Sequence, residues 1–322
     1  MAPPVSKAHA VVAVAIGLCI SARYALADEG GVSFWLPGQY GSLAAAPATP
    51  GWALAIMYVH PDSRAGAGQD IPRGGRVDLG VEGSGDLLVL GPSYTFSKPL
   101  LGGTATASLF ADGGRTVGSV SASLTGANGA MTSGFHSESL TAIGDLIPLL
   151  SLAWNQGVHN FSTYVTGDIP VGSYDPSRLV NLGIGHGAID AGAGYTYLNQ
   201  QNGRELSAIT GLTYNLQNPD THYKNGLDWH MDWGASQFLS ERLHIGVVGY
   251  WFQQVTGDSG EGAKLGPFES RVGGIGPQAG YFFPISGMQG YANLKGYREF
   301  AARNRPEGWN IWLSVALSPA SK

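Results

Sequence analysis

The chain has 322 residues, and only 13% of them are Asp, Glu, Lys or Arg, about half the ~25% usual in soluble domains. Glycine occupies 49 positions, roughly twice its ordinary share, yet 43% of the residues are hydrophobic and fall in ordered runs, which excludes a disordered chain. A formal charge of −5 supplies no basic surface, so nucleic acid is excluded as a partner.

Lys7 precedes the apolar run 8–20 (AHAVVAVAIGLCI), and Ala25, Leu26 and Ala27 follow after a short polar stretch. A basic start, a short apolar centre and an A-x-A end predict a secretory signal peptide over residues 1–27, cut after Ala27. The run is shorter than the ~20 residues a spanning helix needs. Cys19, the single cysteine, lies inside it, and Leu18 stands where lipidation wants a small residue. The exported chain is therefore expected to carry no disulfide, zinc thiolate or cysteine nucleophile.

Residues 28–50 hold Pro37, Pro47 and Pro50 and read as an irregular segment, either a plug in a lumen or a periplasmic lead. One domain is expected from 51 to 318, with a tail at 319–322. Across that domain the pattern has period two. Trp52, Leu54, Ile56 and Tyr58 share one face, and Leu206, Ala208, Thr210, Leu212 and Tyr214 alternate with Ser207, Gly211, Thr213 and Asn215. Strands are predicted near 52–60, 76–97, 103–125, 139–154, 159–168, 187–198, 205–217, 227–238, 242–255, 270–284, 289–301 and 308–318. Turn clusters such as NQQNGRE (199–205) and QNPDTHYKNG (217–226) separate them.

Twelve strands is an even number, as single-chain bacterial barrels require; fourteen is the alternative, because 76–97 and 103–125 exceed the ~9–11 residues a crossing needs. A soluble β-sandwich would show the same period. It would also place Lys, Glu and Arg on its outward positions, whereas here charges gather in the connections. The fold expected is an all-β, antiparallel transmembrane barrel of the bacterial outer membrane, and outer-membrane lipid is then a partner.

LDWHMDW (227–233) decides which face is which. Trp229, Met231 and Trp233 are costly to show to water and natural beside lipid, so Asp228, His230 and Asp232 are expected to line a wet lumen. The row Asn293, Lys295, Tyr297 and Glu299 is expected there too. In the last strand Trp309, Ile311, Leu313, Val315 and Leu317 form the lipid face. That face resembles the C-terminal signal read by the barrel-assembly machinery, although the usual terminal aromatic is missing.

No catalytic, cofactor or metal site is expected. GIGHGA (183–188) fits G-x-G-x-x-A but leads into AGAGYTYL, which reads as strand where a dinucleotide fold needs a helix. There is no G-x-S-x-G elbow and no H-E-x-x-H. His159, His186, His222 and His244 sit among serines, which keeps a membrane-embedded hydrolase or a structural barrel open as alternatives.

GDLIPLLSLAW (144–154), IPVGSYDP (169–176), NLGIGH (181–186), YTY (195–197), YNLQNPDTHYKNG (214–226), QQVTGDSGEG (253–262) and GIGPQAGY (274–281) together resemble the family of outer-membrane proteins named for the meta pathway of phenol degradation. The resemblance spans most of 35–318. It implies a transmembrane barrel that passes small hydrophobic or aromatic compounds across the outer membrane, and it brings no catalytic residues.

Overall fold

In the computed structural model, residues 33–70, 75–264 and 266–320 are described. The expected signal peptide, with Cys19, lies outside them, as do residues 28–32 of the irregular segment.

Twelve antiparallel strands close into one barrel: β1 (Gly51–Asp70), β2 (Gly75–Thr95), β3 (Thr104–Gly126), β4 (Met131–Gln156), β5 (His159–Asp168), β6 (Ala188–Asn199), β7 (Arg204–Asn215), β8 (Leu227–Phe238), β9 (Leu243–Gln254), β10 (Arg271–Ile285), β11 (Met288–Arg303) and β12 (Glu307–Pro319). Each strand pairs with its sequence neighbours. The seam between β1 and β12 runs from Leu54 opposite Leu317 to Arg64 opposite Glu307, so no sheet edge is left open. The long segments do not divide, which settles twelve strands over fourteen.

Outward side chains around the lower part of the barrel are largely apolar, while the tall wall carries Arg76, Asp78, Glu82 and Asp86 outward. Leu54, Ile56, Leu88, Leu90, Leu109, Leu150, Val165, Leu212, Val247, Leu294 and Leu313 are all exposed, a continuous belt that water would penalise and lipid accepts. Aromatics bracket the belt. Trp52, Tyr94 and Phe96 cluster near the end that holds the short turns, while Tyr214, Trp229, Trp251, Phe300 and Trp309 lie near the opposite strand ends. Such girdles mark the two interfaces of a transmembrane barrel.

The two ends differ. At the turn end the connections have two to eight residues; in one of the shortest, Ser286 and Gly287 both take positive φ (46° and 79°), as a type I′ turn demands. At the other end, the connections 169–187, 216–226 and 255–270 are long. The wall is also taller there on one side. β5 has 10 residues and β6 to β9 have 12, about one membrane thickness on a tilted strand, but β1 to β4 run to 20, 21, 23 and 26 residues. At ~3.3 Å per residue β4 is roughly 85 Å long, so its upper half stands clear of any bilayer.

Sequence reading ended the first strand at 60 and began the fourth at 139. Pro61 reads as a stop, yet the chain stays extended through it: pairing with β2 lapses at His60 and Pro61 and resumes at Asp62 opposite Ser84 in the same phase. A missing N–H costs one rung, not the strand. Residues 131–138 (MTSGFHSE) carry no alternation but pair along their length with β3.

Candidate functional site

Alternation puts Asp228, His230 and Asp232 on the inner side of β8, where each is essentially buried, and turns Trp229, Met231 and Trp233 outward. The inner side is identified by what Asp232 touches. Its Oδ1 accepts the Gly38 amide at 3.0 Å and its Oδ2 the Tyr40 amide at 3.1 Å. Residues of the irregular segment therefore lie inside the barrel.

A non-helical, unpaired stretch of backbone leaves N–H and C=O groups open, and inside a lumen they must be satisfied by side chains. Two charged residues do this from opposite directions. A carboxylate only accepts, so Asp232 serves the amides; an ammonium only donates, so Lys295 on β11 serves the carbonyls. Lys295 Nζ donates to the carbonyls of Gly38, Gln39 and Tyr40 at 2.6, 2.8 and 3.2 Å, and Tyr297 Oη donates to Gly38 O at 3.1 Å. Gly38 is required here. Its φ is +91°, and a Cβ would meet the rings of Tyr250 and Tyr297 at 3.0 Å.

Nearer the turn end the grip continues. Glu205 on β7 accepts the Ser42 hydroxyl at 2.5 Å and the Leu43 amide at 2.9 Å; Thr196 on β6 accepts the Ala45 amide at 2.9 Å; and Gln278 on β10 donates to Ser42 Oγ at 2.7 Å. Nearer the loop end, the Trp35 ring lies on the imidazole of His230, centroids 3.5 Å apart and planes 15° from parallel, and it also stacks with Tyr40 and Tyr164. His230 Nε2 bonds Asp190 Oδ2 on β6 at 2.8 Å. Strands β5 to β11 thus form a polar half-lumen with one segment held against it.

Of the remaining residues named from sequence, Asn293 and Tyr297 also face inward and are buried, and Glu299 is half-buried on the same side. Glu299 accepts the Tyr250 hydroxyl at 2.9 Å and the Gly308 amide at 2.7 Å. Trp309, Ile311, Leu313, Val315 and Leu317 turn outward along β12.

The facing half-lumen is mainly apolar, with Asp112 and Asp145 as inward exceptions on β3 and β4, and sequence reading missed it. Met57 opposite Val89, Phe110 opposite Ile147, and Ser108 opposite Leu149 are the inward rows of β1 to β4. Val59 and Leu87 join them, packed near Trp312, Tyr250 and Leu36. On the tall part of the wall the inward rows continue as Val81 opposite Val120, Leu79 opposite Ala122, and Val77 opposite Leu124. Here Arg76, Asp78 and Glu82, and Ser119, Ser121 and Ser123, occupy the alternate outward positions, so period two is visible; it is lost lower on β2, where Leu87 and Val89 point inward and Leu88 and Leu90 outward.

Of the three long loops, 216–226 and 255–270 cover the polar half, and 169–187 is fastened to β4. Asp145, buried on β4, accepts the amides of Gly172 at 2.7 Å and Ile184 at 2.8 Å. Asn218 donates to Tyr174 Oη at 2.9 Å, His186 meets Asn225 at 3.3 Å, and Tyr223 donates to Asp258. GIGHGA is part of this cover, and Ala188 opens β6, a strand. The four histidines considered for hydrolysis are dispersed: His159 is at the turn end of β5, His186 and His222 lie in different loops, and His244 bonds Ser236 and Tyr291. Among the described residues no three His, Asp or Glu side chains gather in metal-binding geometry.

The family model described as "Putative MetA-pathway of phenol degradation" matches residues 65–315. The chain belongs to that family. Among solved structures, an outer membrane channel from Pseudomonas putida F1 shares the fold with a TM-score of 0.64 at 14% identity, covering 88% of this chain and 98% of that one. A FadL homologue of Pseudomonas aeruginosa aligns at TM-score 0.40 and 9% identity, covering 83% and 88%. No curated protein matches the chain in sequence. The motifs that carry the family resemblance supply Asp145, Tyr174, His186, Asn218, Asn225 and Asp258, the residues that fasten the loop cover.

Proposed function

We propose that the chain is an outer-membrane channel for small hydrophobic or aromatic compounds and that it performs no chemistry on them. One observation carries the reading. The lumen is divided into a polar half that grips residues 35–45 and a facing, mainly apolar half on β1 to β4, whose apolar inward rows continue on β2 and β3 up the tall wall toward the loop end. An apolar solute gains by leaving water for such a surface, whereas an ion gains nothing from it.

Membership of a family named for phenol degradation and the shared fold with an outer membrane channel support this reading. Against an enzyme stands the placement of the histidines. His230 presents its face to an indole, and His244 has a tyrosine where a hydrolase needs an orienting carboxylate. In the same proposal the chain is exported by a cleaved signal peptide, is inserted by the barrel-assembly machinery, keeps its turn end in the periplasm and contacts lipid through its belt.

Reconstitution tests it. Liposomes holding the pure protein should take up toluene or phenol faster than empty vesicles, with little uptake of hydrophilic solutes of similar size. Equal rates with and without protein, across a panel of aromatics, would sink the proposal.

A further inference from the structure

We infer that Trp35 occupies the seat of an aromatic solute, and that the solute this seat prefers carries a hydroxyl group, as phenol does. The inference rests on the channel reading above.

Trp35 is not part of the barrel wall. It comes from the segment laid into the lumen, two residues before the turn at Pro37–Gly38, and its ring enters a site built by the wall and by Tyr40. The site has a floor and sides for a flat ring. His230 lies beneath it at 3.5 Å, Tyr40 stacks at 5.7 Å and 17°, and Tyr164 at 5.9 Å and 30°. Ile209 and Leu149 complete the apolar surround. Near-parallel rings at these separations are the contacts that any planar aromatic would make.

The rim is polar, and the indole does not satisfy it. Asp190 and His230 are fully buried and Trp35 is 2% exposed, yet Asp190 Oδ1, His230 Nδ1 and Trp35 Nε1 find no hydrogen-bond partner among the described residues. The other carboxylate oxygen of Asp190 is used twice, by the Thr213 hydroxyl and by His230 Nε2. A buried carboxylate oxygen without a donor is costly, and the indole N–H placed in the same site does not reach it. A phenolic ring on the His230 face would bring the missing donor to Asp190 Oδ1. A bare hydrocarbon ring would take up the stacking contacts alone.

Trp35 can leave without undoing the segment. Its own side chain bonds to nothing, its carbonyl accepts only the nearby Ser33 hydroxyl, and the hydrogen bonds that hold the segment to the wall begin at Gly38. The seat is therefore closed by an internal competitor, and the apparent affinity for phenol is reduced by the fraction of time that Trp35 is in place.

The test uses the full chain in detergent, with phenol and toluene as probes. Trp35→Ala should tighten phenol binding by about tenfold or more, since the competitor is gone. Unchanged or weaker phenol binding in a variant that keeps the heat-modifiable mobility of a folded barrel would overturn the inference. A second measurement does not depend on that variant. Saturating phenol should increase acrylamide quenching of tryptophan fluorescence in the natural protein and leave Trp35→Phe unchanged; the same response in both proteins would also overturn it. For the hydroxyl preference, Asp190→Asn should weaken phenol at least tenfold more than toluene, and equal losses refute it. Failure of these tests with aromatic uptake by liposomes intact removes the seat and keeps the channel. Tight phenol binding without any uptake does the reverse.

Discussion

Asp232 and Lys295 hold the same stretch of backbone from its two chemical sides. One accepts the amides of Gly38 and Tyr40, and the other donates to the carbonyls of Gly38, Gln39 and Tyr40. They stand on β8 and β11, with β9 and β10 between them. Opposite charges make the assembly neutral, and each charge is solvated by peptide dipoles of the segment, with Tyr297 adding a second donor to the Gly38 carbonyl. Removing one member of such a buried set leaves the other uncompensated, at a cost of about 3–5 kcal/mol.

That cost falls on the docked segment, because the barrel ladder does not use these side chains. Asp232→Asn and Lys295→Gln should both assemble and should both raise single-channel conductance severalfold, with frequent switching between levels, as residues 35–45 detach. The double variant Asp232→Asn/Lys295→Gln should cost less than the sum of the two single changes, since neither charge is then stranded. Planar-bilayer recordings decide; wild-type conductance in all three would show that the segment does not narrow the pore.

Asp145 gives a second prediction at the loop end. Its carboxylate takes the amides of Gly172 and Ile184, which begin and end the fold of the 169–187 loop against β4. Asp145→Ala strands both donors, at about 1–3 kcal/mol each if they stay buried, so the loop should open instead. Limited proteolysis should then cut between 172 and 184 at least tenfold faster than in the natural chain while the barrel survives. Cleavage at the natural rate would mean that Glu138, which accepts the Leu179 amide at 2.8 Å, and the backbone bonds of Ile169 and Ser173 to β4 hold the loop without Asp145.

What the sequence makes legible follows from these contacts. Asp228, His230 and Asp232 alternate with Trp229, Met231 and Trp233, so one strand shows its polar and greasy sides without help; that the polar side is buried, and not the wet lining expected, is not legible there. The partner of Asp232 is nearly 200 residues away in a proline-rich segment, and no local period points to it. Likewise His230 and Asp190 meet across β7, forty residues apart. The apolar half-lumen is hidden for a different reason: Leu88 and Val89, or Leu90 and Gly91, present grease or nothing to either face. Only the closed register shows which side is inner.

The outer belt provides a third prediction, with a magnitude set by depth. Trp233 and Leu313 lie near the middle of β8 and β12, and both face outward. Trp233→Arg or Leu313→Arg should destabilise the folded barrel by about 2–4 kcal/mol, and Trp309→Arg, close to the strand end, by about 0–1 kcal/mol. Reversible unfolding in bilayers by denaturant supplies the measurement. Equal costs at all three positions would contradict the depth assigned to them.

Closure of the barrel depends on β12, which pairs with β1 along one edge and with β11 along the other. Deleting 309–322 removes nearly all of both ladders and should abolish heat-modifiable, membrane-inserted protein. Deleting 319–322 removes a single pair, Pro319 opposite Met288, and should be tolerated. A folded barrel from the longer truncation would require β11 to meet β1 directly, contrary to the seam observed.

The apolar half-lumen yields the last prediction, and it bears most directly on transport. Phe110 and Ile147 are opposite each other on β3 and β4, face inward and are only half-buried, so their surface is open to whatever passes. Neither side chain contributes a hydrogen bond to the segment held by Asp232 and Lys295, so changing them leaves that grip in place. Phe110→Ser or Ile147→Asn replaces grease by a hydrated group, and a passing ring then loses contact on one side. Burying a whole Phe or Ile side chain is worth about 1.5–3 kcal/mol, so one shared face is worth roughly 1 kcal/mol, or about fivefold in partitioning. Toluene uptake by liposomes should therefore fall about fivefold for either variant, while potassium conductance stays the same or rises slightly. If toluene flux were unchanged and the Asp232→Asn variant alone altered it, solutes would travel along the polar half-lumen beside residues 35–45, and the apolar rows would serve only to pack the wall.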